Sequence, residues 1–276
     1  MSGTQLAAAT AAELIATQPG RLIGVSLGPG DPDLITRRAF ARLTSSARWA
    51  YPVTGPGARS HALEIACRAG LAVPADALAL HFPMTRDRVA LTAAWQQAAA
   101  HCLTALAGGR DLAFLVEGDA STYSTFGHLA ATLRDLAPGL AIEVIPGVTS
   151  FAAAAARLAE PLVSDAGVLA VIPAAYGIEV IDRLLDQCDT LVLLKVNPLL
   201  DQVLALLERR GLSGHARYLE RLGTAAERVL LGLDGLHGSR VPYLSLLLVK
   251  NPGRHATPPA PMASSPLPDP PTGSPR

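Results

Sequence analysis

Residues 111–119 read DLAFLVEGD, five apolar residues closed by two carboxylates around a glycine. A run this short, bounded by turn chemistry, is a strand, and one without alternation is buried on both faces. Strands of that kind belong to parallel sheets, whose crossover helices cover both sides. The stretch therefore predicts an α/β fold.

The flanking sequence repeats the pattern. Arg21–Leu27 (RLIGVSL) reads as a strand ended by the turn GPGDPD. Apolar positions from Leu34 to Ser46 predict a helix, with Asp33 as its cap. Strands follow at Arg48–Pro52 and Ala77–Phe82, and helices at Ser60–Ala69 and Val89–Ala107. Beyond the buried run, Tyr123–Leu136 reads as helix, Ala141–Ile145 as strand and Ser150–Leu158 as helix. Aromatic residues on a helix usually face inward, so Tyr123 and Phe126 are expected in the core.

A second series begins near Pro161. Strands are expected at Val168–Ile172, Leu191–Val196, Ala216–Leu219 and Tyr243–Val249, with helices at Ile178–Gln187 and Pro198–Arg210. This smaller α/β unit is expected to be mixed or partly antiparallel. The divisions are 1–20 as an extension, 21–160 as the first α/β domain, 161–250 as the second and 251–276 as a tail. Nine of the last 26 residues are proline, against 13 in the preceding 250. Such a segment supplies few sheet donors and little apolar mass, so it is read as disordered.

Composition narrows the function. Half of the 276 residues are hydrophobic, and 23 basic residues balance 23 acidic ones. That balance argues against a nucleic-acid surface. No run of 18 apolar residues calls for a membrane span, and the amino terminus lacks the basic and apolar regions of a signal peptide. Cys67, Cys102 and Cys188 are too scattered for a disulfide framework, which suits a cytoplasmic protein. The dispersed histidines predict no metal site.

Three turns follow buried strands, where open α/β sheets place ligands: Gly28-Pro29-Gly30-Asp31-Pro32, Glu117–Thr125 and Val144–Ser150. Each has a plain alternative as turn punctuation or helix capping. The first has neither a dinucleotide fingerprint nor a P-loop spacing, which disfavours a nucleotide oxidoreductase.

In order and spacing, GVSLGPGDPDLIT, GDASTYSTF and VIPGVTSFAAAAARL resemble the motifs of the tetrapyrrole methylases, across roughly residues 21–250. YST after the Asp loop, VLLKVN, YLERLGTAAERV and VPYLSLLLV are similar to the branch that methylates precorrin-2 at C-20. The resemblance implies two α/β domains with the active cleft between them, a homodimer, S-adenosylmethionine as methyl donor and a tetrapyrrole as acceptor. It implies that Pro29 lines the cleft floor and that Glu117, Gly118 and Asp119 hold the donor. Thr122, Thr149 and Ser150 would complete that pocket, with Lys195, Tyr218 and Ser245 beside it.

Two departures are informative. Ala120 stands where the family usually has proline, so the Asp loop is expected to be less preorganised. Ala50-Tyr51-Pro52 stands where uroporphyrinogen methylases carry an acidic residue. Residues 21–110 hold ten arginines and five acidic residues, which fits bidentate grip on a polycarboxylate substrate. Arg37, Arg38, Arg59, Arg86 and Arg88 are the candidates, and the alternative for each is a solvated surface charge. No residue is assigned as catalyst. Two further readings remain open: a cobalt-loaded substrate, cobalt-sirohydrochlorin, and a non-catalytic tetrapyrrole-binding protein.

Overall fold

In the computed structural model, residues 19–55, 57–85, 87–164 and 166–253 are described. The extension expected at 1–20 and the tail at 251–276 lie almost entirely outside them.

The first sheet contains β1 (Leu22–Ser26), β2 (Arg48–Val53), β3 (Leu78–His81), β4 (Leu112–Val116) and β5 (Ile142–Ile145). Its order is β3-β2-β4-β1-β5 and every pairing is parallel. β1 and β4 are buried along their whole length, as their unbroken apolar runs require. Helices α1 (Arg37–Leu43) and α2 (His61–Arg68) cover one face, while α3 (Arg88–Leu106) and α4 (Thr125–Leu136) cover the other. The alternation shows in the core: Phe114 and Val116 pack on α3 and α4, Ala113 and Leu115 on α1 and α2.

After α5 (Ser150–Leu158) the chain enters a mixed sheet of order β6-β7-β10-β8-β9. Its strands are β6 (Leu169–Pro173), β7 (Thr190–Leu194), β8 (Ala216–Glu220), β9 (Arg228–Leu230) and β10 (Ser245–Lys250), with α6 (Ile178–Leu185) and α7 (Leu200–Arg209) on one face. β6 and β7 are parallel, whereas β10 runs antiparallel to β7 and β8. The start of β10 therefore lies at the same edge as the ends of β7 and β8.

Three local expectations are corrected. The helix expected from Leu34 begins at Arg37, capped by Thr36 rather than Asp33. Pro32–Leu34 forms a separate 3-10 turn capped by Asp31, and Ile35 is extended behind it. Tyr123 precedes α4 at φ 47° and is 43% exposed, whereas Phe126 is core as expected. The short β9 gave no periodic signal, being only three residues long.

The two sheets meet through their loops. A Cβ on Gly30 would lie 2.1 Å from the Leu222 carbonyl oxygen, so only glycine permits this approach. Arg68 Nη1 and Nη2 donate to the Gly30 and Gly223 carbonyls at 3.0 and 3.1 Å, joining the two turns. The Tyr123 hydroxyl crosses to the β6 carbonyl of Val171 at 2.8 Å.

Candidate functional site

Between the sheets lies a cavity of about 490 Å³, within the range of small-molecule sites. The turns after β1, β4 and β5 supply Pro29, the 117–119 segment, Thr122 and Thr149–Ser150. The facing edge supplies Lys195 after β7, Arg221 after β8 and Tyr243–Leu246 at the start of β10. The turns after β2 and β3 close the far end with Thr54, Arg59, His61, Phe82 and Met84. Trp95 of α3 stacks beside Phe82 there, with ring centroids 4.6 Å apart. One end is thus glycine- and hydroxyl-rich, the other aromatic.

Gly28 and Gly118 face each other in an isolated bridge, with paired N–H···O contacts of 3.1 and 2.7 Å. Gly118 has φ +73°, and a Cβ there would enter open space. The turn therefore leaves a bare backbone cradle on the cavity wall. Beside it, Asp119 is nearly buried. Its Oδ1 accepts from the Ser121 N–H at 2.9 Å, the Ser121 hydroxyl and the Thr122 hydroxyl at 3.3 Å. Its Oδ2 accepts from the Gly147 N–H at 2.8 Å. Burial pushes this carboxyl up, but these donors outweigh it and hold the group below the usual carboxylate range. Asp119 ties the second turn to the third. The expectation that it holds the donor applies at most to the remaining lone pair of Oδ2.

The loop also shows how Ala120 takes the place of proline. Its N–H donates to the buried Ser26 hydroxyl at 2.9 Å, a bond that proline lacks the hydrogen to make. The Ser124 hydroxyl closes back on the Ala120 carbonyl, and Ser124, at the cap position of α4, makes no side-chain cap. Thr149, by contrast, caps α5 through the Ala152 N–H while lining the cavity.

Glu117 differs from Asp119. It is half-buried on the cavity wall and accepts no hydrogen bond among the described residues. Burial pushes its carboxyl up to about 7, opposed by the Lys195 cation and reinforced by the Glu64 charge. Lys195 donates to the Tyr123 carbonyl at 3.3 Å and stands 5.1 Å from the Tyr243 ring centroid. Tyr123, Lys195 and Arg221 all have positive φ, at 47°, 57° and 49°. Backbone strain of this kind, concentrated at one cavity, marks positions held for function.

The structure thus brings together Pro29, Glu117, Gly118, Asp119, Thr122, Thr149, Ser150, Lys195 and Ser245. Tyr218 is not among them. It is fully buried on the opposite face of β8, its hydroxyl donating to the Glu220 carboxylate. Alternation sends Leu219 and Arg221 toward the cavity instead. Of the arginines, Arg59 lines the cavity, whereas Arg37, Arg38 and Arg88 stand exposed away from it. Arg38 pairs with Glu143 at 2.5 Å. Arg86 lies outside the described residues. Arg221 and Tyr243 were missed. The strand period, counted from Tyr218, is the signal that finds Arg221.

Comparison with known proteins agrees with this geometry. Residues 21–233 match the family described as Tetrapyrrole (Corrin/Porphyrin) Methylases. A Salmonella typhimurium protein named cobalt-precorrin-2 C(20)-methyltransferase is 36% identical over 86% of this chain and 99% of its own. A Sinorhizobium protein named precorrin-2 C(20)-methyltransferase is 32% identical over 83% of this chain and 95% of its own. In fold, the chain is similar to the uroporphyrin-III C-methyltransferase of Thermus thermophilus solved with S-adenosyl homocysteine. That similarity has a TM-score of 0.60 at 21% identity, covering 86% of this chain and all of the other.

Proposed function

From the premise that this chain belongs to the tetrapyrrole methylases, we propose that it methylates precorrin-2 at C-20, giving precorrin-3A in cobalamin biosynthesis. It is an S-adenosylmethionine-dependent C-methyltransferase. The observation that carries the reading is the two-ended cavity at the junction of both sheets.

The glycine-rich end fits the methyl donor. The bare Gly118 backbone admits close approach, and the Asp119 carboxylate suits a ligand that carries a sulfonium and an ammonium. Pro29, Thr122, Thr149, Ser150, Lys195 and Ser245 surround that end. When bound, S-adenosylmethionine supplies an electrophilic methyl carbon for in-line displacement. The aromatic end, walled by Phe82 and Trp95, fits the face of a macrocycle. Arg59 and Arg221 reach the cavity where carboxylate arms would leave it.

A meso carbon conjugated with pyrrole nitrogens is already electron-rich, so the protein's main task is alignment. Orientation of this kind accounts for a large share of a barrier, up to about 7–11 kcal/mol. Asp119 contributes by fixing the second turn against the third. The protein is proposed to act in the cytoplasm as a homodimer.

A second reading takes the cobalt-loaded form, supported by the name of the Salmonella relative. Anaerobic incubation with S-adenosylmethionine and each substrate, read by mass spectrometry, tests both. A product heavier by one methylene from metal-free precorrin-2 is expected. Turnover of the cobalt form alone would favour the second reading, and no turnover of either would overturn both.

A further inference from the structure

We propose that Glu117 is the general base that accepts the C-20 proton displaced by methyl transfer, an inference that rests on the methyltransferase reading above. Glu117 follows directly on β4, which lies between β2 and β1 in the sheet. It therefore stands at the border of the glycine-rich end, next to the turn after β2 that opens the aromatic end. Alternation from Leu115 directs it toward the α2 side, where His61 and Glu64 lie.

Its chemistry separates it from its neighbour. Asp119 has four donors from the protein, whereas Glu117 has none among the described residues. A half-buried carboxylate that the fold does not satisfy is retained at a cost, and it is free to accept a proton. Burial brings its proton affinity near neutrality, which suits a base that must be charged and still basic. The charges that act on it are Lys195 from the second sheet and Glu64 on α2, and His61, Arg59 and Arg221 line the same cavity. Asp119, Tyr123 and Tyr243 complete the titratable lining.

The step balances. The π electrons at C-20 form the new C–C bond as the S–CH3 bond breaks, and sulfur keeps its electron pair. C-20 then bears both hydrogen and methyl. The Glu117 carboxylate takes the proton, and the C–H electrons restore the conjugated bond.

Glu117→Gln and Glu117→Asp test the assignment, each checked for folding by thermal denaturation. Calorimetric titration with S-adenosylhomocysteine separates proton transfer from donor binding. For Glu117→Gln the expected result is a Kd within about twofold of wild type and a kcat lower by about 100-fold or more. Its acid limb near pH 7 should be lost, while Glu117→Asp recovers part of the rate and His61→Gln keeps the limb. Substrate deuterated at C-20 should show a larger isotope effect in Glu117→Gln. A rate within threefold of wild type with the limb retained would overturn the assignment. So would a loss explained wholly by weaker S-adenosylhomocysteine binding. Wild-type enzyme inactive on either substrate would instead sink the methyltransferase reading beneath it.

Discussion

Ala120 and Ser26 form a pair whose behaviour under mutation follows from one hydrogen bond. In Ala120→Pro the donor is lost and a buried hydroxyl is stranded, so a cost of about 1–3 kcal/mol is expected. In a Ser26→Ala background the same change should cost less than about 1 kcal/mol, since no acceptor remains to strand. Urea denaturation of the four proteins measures this coupling, and additive effects would contradict it. The sequence showed the departure from proline but not its partner, which lies 94 positions away. Glu117 makes a second prediction. Its proton is held more tightly in the fold than in the unfolded chain, so its contribution is complete below about pH 4.5 and lost as pH rises through about 7. Glu117→Gln should therefore gain about 3 kcal/mol on wild type between pH 4.5 and pH 8. A pH-independent difference in urea midpoints would contradict the raised proton affinity.

The elements were legible where packing alone decides them. The unbroken apolar runs of β1 and β4 were readable because burial on both faces dictates composition. The start of α1 was not, because Asp31 and Pro32 favour a local turn over continuation of the helix. At β8, the resemblance implied Tyr218 beside the cofactor pocket, and the structure buries it on the opposite face. Motif position carries no information about which way a side chain points, whereas the two-residue period does. The structure makes Tyr218 a buried partner of Glu220, and burial with that carboxylate holds the phenol well above its usual range. Tyr218→Phe should thus destabilise the protein by about 1–3 kcal/mol through the Glu220 carboxylate it leaves unpaired. S-adenosylhomocysteine affinity should stay within about twofold. A large loss of affinity without loss of stability would return Tyr218 to the cofactor pocket.

At the scale of the molecule, the cavity exists because two sheets present their loop-bearing edges to each other. Contacts that hold them there are specific: Gly30 against Leu222, Arg68 across both turns, and the Tyr123 hydroxyl on β6. None was foreseeable from sequence, since each joins segments far apart in the chain. The turns after β1, β4 and β5 were foreseeable as the cavity's lining because their motifs keep a family's order and spacing, whereas Arg221, Tyr243 and the aromatic wall were not. A ligand bridging both edges favours the folded state by mass action, and S-adenosylhomocysteine at 100 times its Kd should add about 2.7 kcal/mol. An unchanged Tm at that concentration would contradict binding of S-adenosylhomocysteine to the folded chain.

Methyl transfer to C-20 marks one carbon of one macrocycle. The most direct measurement is carbon NMR of the product formed anaerobically from precorrin-2 and methyl-labelled S-adenosylmethionine. A single labelled methyl on C-20 is expected, with the other ring positions unlabelled. Label at any other carbon, or no label in the macrocycle from an enzyme that binds S-adenosylhomocysteine, would contradict it.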